Sequence, residues 1–573
     1  MSTRVPLEAS SRSHVERSVN GNGQGIRQLS LLDLPGEIIL KVFQQLRPIE
    51  PVTSYNSTSK KPDVSRDFFQ SRASLTNVVL VSRLFYELGT PYLYRTVLLS
   101  DQVEVLLFFR TISTCPDRRP LVRSLAWVTV LSTDDTNRQS TMIRQHEADS
   151  LVVDCWDLIK DSWPLAQIDF RVAKLMGIYG PDTMETWRLL GAILALCPKI
   201  ASLFLLHGCE DVPEGSYMRF SPEMRALEPL LWRYEEADGH GNPGFLGPSG
   251  YGFLADLQHL IIETHEDEQS QDRARFVIFF FLANSPRLRR VEIKGNLCHR
   301  GIWACFTQYP NSKLVADSVK ELVLMRTQGP RDDIMATMLS FPKLVSLQAE
   351  YDDASYMFNT TITPALPFTI SSALLRLADT LETLSLTTGP TSYGHWSYIE
   401  DYPPSLTSLS QMSKLKDLTT ESMWLFGRQD VGIALQIPHL LPPSLVRFRL
   451  IDYWGTTHDT PRDYQPDSLK YYPDFPNQWT TAEFYSNVLM SLVRDSSPSL
   501  PDLGEVTLVS KQLYEEMPAS DSQGEQDPAD ITEGHKGPLS NVSASLRAVG
   551  VQLNLEMPVE SEAADRFDWA RIE

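Results

Sequence analysis

Cysteine is scarce in this chain, with six among 573 residues: Cys115, Cys155, Cys197, Cys209, Cys298 and Cys305. They are scattered, which argues against a disulfide framework and for free thiols in a reducing compartment. Long apolar runs are also missing. The most apolar stretch, Phe276 to Ala283, is far short of the roughly 20 residues that cross a bilayer. Residues 1–28 hold no apolar centre of a secretory leader, so the expected location is cytoplasmic and/or nuclear, with no membrane partner. Positive charge is in deficit: 52 Lys and Arg stand against 72 Asp and Glu, a net charge of −20. That balance disfavours non-specific contact with nucleic acid, so proteins are the expected partners.

Motifs that carry chemistry are lacking too. No phosphate-binding or dinucleotide-binding glycine motif is present. Cys298, His299 and Cys305, with His259 and His265, lack the paired spacing of a zinc site. In GFLGPSGYG, Ser249 resembles a nucleophile at a sharp turn, but Tyr251 stands where the second glycine of that motif belongs. The expectation is a chain with no catalytic residues, no metal and no cofactor.

What is there begins with SLLDLPGEIILKVFQQL at 30–46. Proline is tolerated in a first helical turn, and Glu37 suits the positive end of the helix dipole. Ile38, Ile39, Val42, Phe43 and Leu46 then recur at helical spacing and form an apolar stripe that must be covered, by a partner rather than by the chain itself. A polar stretch rich in proline and serine follows from Arg47 and reads as a long loop up to Ser74. Helical spacing resumes at Leu75, Val79, Leu80, Phe85 and Leu88, with an expected end near Gly89-Thr90-Pro91.

The segments LDLPGEIILKVFQQL and LVSRLFYELGTPYLYRTV resemble the F-box family: a Leu-Pro start, Ile/Val/Phe spacing, Val-Ser-Arg-x-aromatic and a closing Pro-x-Leu-Tyr. Phe85 stands where many members have Trp, and the internal loop is longer than usual. The resemblance implies contact with a Skp-family adaptor through Leu34, Pro35, Ile38, Ile39, Val42, Phe43, Leu46, Val81, Ser82, Phe85, Leu88 and Leu93. Through that adaptor it implies assembly with a cullin–RING ubiquitin ligase.

Beyond residue 118 a Leu-x-x-Leu-x-Leu-like pattern recurs. It starts at Val122, Ile200, Leu257, Leu288, Val319, Leu344, Leu381, Leu415, Leu445 and Leu503, with a closing copy at Leu546. From Leu257 to Leu445 the steps are 31, 31, 25, 37, 34 and 30 residues. Helix-like segments and Pro stops lie between the copies. This resembles a degenerate leucine-rich repeat, and the fold class implied is α/β: a small all-α F-box followed by a solenoid whose curved parallel sheet carries helices on its convex side. The expected division is a disordered arm at 1–28, the F-box at 29–100, the solenoid at 101–513, an acidic disordered segment at 514–539 and a terminal repeat or cap at 540–573.

Period-two alternation assigns two leucine positions of each copy to the core and the residues between them to an accessible face, from His259, Ile261 and Glu263 to Arg447, Arg449 and Ile451. Aromatic residues follow several strands. Tyr351, Tyr393, Trp396, Trp424, Tyr453 and Trp454 are expected on one rim, where with Arg447 and Arg449 they bind an unknown target protein, since Tyr and Trp dominate binding hot spots. The functions implied are the substrate-recognition subunit of an SCF-type ubiquitin ligase or, as the alternative, a protein-binding scaffold with no ligase role.

Overall fold

The computed structural model describes residues 35–46, 52–56, 61–64, 66–128, 151, 153–155, 158, 189–207, 254–264, 281–282, 285–294, 316–327, 341–351, 371–372, 374–388, 406–426, 436–452, 481–510 and 538–556. The expected arm at 1–28 lies outside them, as does the expected acidic disordered segment at 514–539 except for its last two residues, which open helix Pro538–Ala548.

Four helices open the chain: α1 (Gly36–Gln45), α2 (Arg66–Val79), α3 (Arg83–Arg95) and α4 (Gln102–Thr114). Between α1 and α2 two short strands, β1 (Val52–Asn56) and β2 (Lys61–Val64), pair antiparallel. The loop expected from Arg47 to Ser74 is therefore corrected, since it contains a hairpin and most of α2. Its Ser and Thr residues masked a stripe of Phe68, Arg72, Leu75 and Val79, which recur on one helical face. The expected stop at Gly89-Thr90-Pro91 is corrected as well, because α3 runs through Pro91 to Arg95.

A twelve-stranded sheet follows, β3 (Thr96–Leu99) to β14 (Gln552–Glu556), with every strand hydrogen-bonded to its neighbours in strict sequence order. All eleven pairings are parallel. Parallel neighbours need crossovers, and crossovers of one hand in sequence order place their helices on one face. The chain is thus α/β, in an arrangement consistent with a solenoid. One face packs into a continuous core that includes Leu203, Leu260, Val291, Leu322, Leu347, Leu384, Leu418, Phe448 and Val506, each 2% exposed or less. The first leucine of each repeat joins them, as at Leu257, Leu288 and Leu381.

The repeat pattern locates β4 (Ser124–Trp127) to β13 (Glu505–Ser510). It misplaces both ends. β3, inside the segment assigned to the helical domain, is the first strand, and its four residues were too few to show a repeat. The copy at Leu546 falls in helix Pro538–Ala548, and the strand follows at Gln552. Gly550, at φ +84°, separates the two: its N–H reaches Arg547 O at 3.0 Å and Val551 N reaches Leu546 O at 2.9 Å, a left-handed helix stop that glycine adopts without strain.

Candidate interaction surfaces

The first surface is built on α1 to α3. Pro35 caps α1 without a side-chain hydrogen bond, while Ser82 caps α3 by accepting from Phe85 N at 3.1 Å. Ile39, Phe43, Leu75, Val79 and Phe85 form a dry core, with Leu46, Leu88, Tyr92 and Leu93 packed partly buried against it. Phe43 meets Phe85 edge-on and stacks on Tyr92, with centroids 6.0 Å apart in both pairs. Ser82 is thus a cap and Leu88 and Leu93 are half-covered packing residues. Leu34 lies outside the described residues.

The twelve proposed adaptor contacts therefore divide. Pro35, Ile38, Val42 and Val81 are exposed, but Ile39, Phe43 and Phe85 face their own chain, which corrects the expectation that this stripe as a whole awaits a partner. A ten-residue helix lying on two others buries one side and leaves the positions next to it outside. Three further apolar side chains are exposed outside the expected contact set: Leu80 at the α2–α3 turn, 75% exposed and expected on the helical face, with Leu84 and Tyr86 on α3. Their signal was present in the run VVLVSRLFY, which has more apolar residues than one helical face can bury.

The second surface is the open face of the sheet. Register places Leu98, Ala126, Phe204, Ile261, Glu292, Val323, Gln348, Ser385, Thr419, Arg449, Thr507 and Asn554 in one row across β3 to β14. The first four are apolar because they are covered. Phe68 of α2, fully buried, lies with Leu98, Ala126, Val128, Phe204, Leu206 and Ile261 in a second core. Arg72, one turn on, donates to Thr96 O at 3.1 Å. Ile261, expected to be accessible, is closed off, and Glu263, Glu292 and Ile451 are buried too.

Where the apolar cover ends, Glu292 collects the side chains of His259, Arg290 and Lys294. His259 Nε2 donates to Oε1 at 2.9 Å, Arg290 Nε donates to it at 2.7 Å, and Lys294 Nζ stands 3.2 Å from Oε2. Burial pushes the Glu292 carboxyl up, but the His259 hydrogen bond and the charges of Lys294 and Arg290 outweigh it and leave it at about 2. Arg290 also reaches Glu321 at 3.0 Å.

The expected aromatic rim fares unevenly. Tyr393, Trp396, Tyr453 and Trp454 lie outside the described residues, and Tyr351 closes β9 (Ser346–Tyr351). Trp424 is a correction: it is fully buried in the main core, because helix Ser422–Phe426 follows β11 (Asp417–Glu421) at once and turns Trp424 and Leu425 inward. Arg447 and Arg449 stand on the open face, each held by a carboxylate. Arg447 donates twice to Asp417, at 2.5 and 2.9 Å, and Arg449 lies 2.7 Å from Glu556.

Cys155 and Cys197 are buried free thiols, both pushed up to about 12 by desolvation. Among the described residues no group of three or more His, Cys, Asp or Glu is placed to hold a metal ion, and no helix is long and apolar enough to cross a membrane. No family model matches the chain, and no curated protein matches it.

Proposed function

We propose that the chain is the substrate-recognition subunit of an SCF-type ubiquitin ligase, an F-box protein with degenerate leucine-rich repeats. The observation that carries the reading is the contrast within α1 to α3, where a filled core of Ile39, Phe43, Leu75, Val79 and Phe85 sits beneath Ile38, Val42, Leu80, Val81 and Leu84, all at least 41% exposed. Exposed apolar groups around an already packed unit are what a partner interface requires. That partner is a Skp-family adaptor, and through it a cullin–RING ligase. The sheet face beyond β6 (His259–Thr264) then holds the target in the cytoplasm or nucleus. The chain contributes no nucleophile of its own and acts by proximity, raising the effective concentration of a target lysine near the conjugating enzyme.

Co-purification with a Skp-family adaptor tests this reading. The triple change Ile38→Asp, Val42→Asp and Val81→Asp alters only exposed positions, so capture should be lost while thermal unfolding stays within a few degrees. Capture unaffected by the change overturns the interface. Ubiquitin transfer to a captured protein, reconstituted with the cullin and RING subunits, then tests the ligase role.

A further inference from the structure

The strand-entry edge of the sheet carries a charge pattern that neither surface uses. Before each strand one residue passes its carbonyl to the next repeat: Ala201 N reaches Arg123 O at 2.7 Å, Gln258 N reaches Ala201 O at 2.8 Å, Arg289 N reaches Gln258 O at 2.8 Å and Lys320 N reaches Arg289 O at 2.7 Å. The ladder sets Arg123, Ala201, Gln258, Arg289 and Lys320 side by side at the entries of β4, β5 (Ser202–His207), β6, β7 (Arg290–Lys294) and β8 (Glu321–Thr327). With neighbouring strands about 4.8 Å apart, Arg123 and Lys320 are about 19 Å apart, the reach of roughly six extended residues. Two positions earlier, Lys199, Asp256 and Arg287 form an outer row at the entries of β5 to β7, and Lys343 holds the same place before β9.

Five cations on this strip, Arg123, Lys199, Arg287, Arg289 and Lys320, with Lys343 at its border, face two carboxylates among the described residues, Asp256 and Asp317. Asp256 serves both Lys199 at 2.9 Å and Arg287 at 2.6 Å, and Asp317 serves Lys343 at 3.3 Å. The hydrogen bond from Lys199, with the charges of Arg287 and Arg123, holds Asp256 below the usual carboxylate range, so these cations converge on one place. Arg123, Arg289 and Lys320 have no ion pair among the described residues. The same edge further along is balanced: Val345, Val446 and Gly504 are neutral, and Glu382 pairs with Lys416 at 2.7 Å. In a chain of net charge −20, a local excess of cations over carboxylates among the described residues is a specific feature rather than a consequence of composition.

We propose that the strand-entry edge of β4 to β8 is a docking strip for an acidic peptide segment of a partner protein. A peptide fits better than a duplex or a bilayer, because the strip is narrow and the rest of the chain would repel a large polyanion. The strip lies at the opposite end of the strands from Tyr351 and begins beside the end of α3, where Arg123 N reaches Arg95 O at 3.0 Å, but none of its cations belongs to the exposed apolar group of α1 to α3, so the proposal does not depend on the ligase reading.

The test uses the full-length chain and a fluorescent ten-residue poly-glutamate peptide, read by anisotropy at about 50 mM and about 500 mM salt, since screening at the higher value removes exposed pairs. Binding should appear at low salt and fall at least tenfold at high salt. The triple change Arg123→Glu, Arg289→Glu and Lys320→Glu should weaken it at least tenfold, while Arg376→Glu with Lys414→Glu, also at exposed cations but in later repeats, should leave it within twofold. Circular dichroism of each variant controls for folding. Absence of low-salt binding, or equal loss in both variants, overturns the strip. Tighter binding of a single-stranded oligonucleotide of equal charge, or of phosphatidylserine vesicles, overturns the assignment to a peptide.

Discussion

Gly89 of α3 faces Phe43 of α1 so closely that a Cβ at position 89 would stand 2.7 Å from Phe43 Cε1, with the Val79 Cγ1 methyl nearer still. Alanine gains about 1 kcal/mol of helix propensity over glycine, and overpacking a filled core costs about 1–3 kcal/mol. Both obstructing groups are nearly fully buried, so the steric cost wins. Gly89→Ala should lower the unfolding midpoint by several degrees. A midpoint unchanged or raised would show that α1 and α3 can separate freely.

Phe68 ties α2 to the open face of the sheet while Leu75 and Val79 of the same helix belong to the α1–α3 core. Phe68→Ala should cost about 3–5 kcal/mol, as removal of a buried aromatic ring does. Hydrogen exchange should quicken in α2 and in β3 to β6, and least in β10 (Thr383–Thr388) to β14. Uniform quickening along the sheet would contradict a local tie.

Glu292 gives the sheet an acid-sensitive contact. Its folded carboxyl, at about 2, lies below the unfolded value near 4.5, so its contribution is complete above pH 4.5 and is lost as pH falls towards 2. Glu292→Gln should be less stable than the parent at pH 7 by about 2 kcal/mol, the scale of a hydrogen bond to a charged group. The gap should narrow between pH 4.5 and 2. A constant gap, measured by urea unfolding across that range, would remove Glu292 from the acid response.

Thr420 occupies a core position that a leucine fills in other repeats, fully buried and with no hydrogen-bond partner for its hydroxyl among the described residues. Thr420→Val keeps the shape and removes the unsatisfied group. Stability should rise by about 1 kcal/mol. A fall on urea unfolding would mean that the hydroxyl is satisfied in solution.

Much of this architecture was legible in the chain. Period-two alternation and the recurring leucines located ten of the twelve sheet strands, because a strand buried on one face must repeat its apolar positions. The helices around Ile38 and Phe85 were legible for a similar reason. Individual contacts were not: Ile38 and Ile39 are equally apolar neighbours, and only the placement of α2 and α3 decides that one is exposed and the other buried. Trp424 and Ile261 were misread for the same cause, since a residue's type fixes what it costs to expose it and not whether a distant segment covers it.

The sequence by itself determined the class of the protein: an acidic, cysteine-poor α/β chain of degenerate repeats with helices before them. Those are properties of local periodicity and composition. Tertiary structure alone decided that Phe68, taken for part of a loop, closes the first four strands, that Glu292 gathers His259, Arg290 and Lys294 at the edge of that cover, and that Arg123, Arg289 and Lys320 stand on one edge. The physical reason is that strict parallel order stacks residues tens of positions apart into neighbouring rungs, a proximity no local pattern contains.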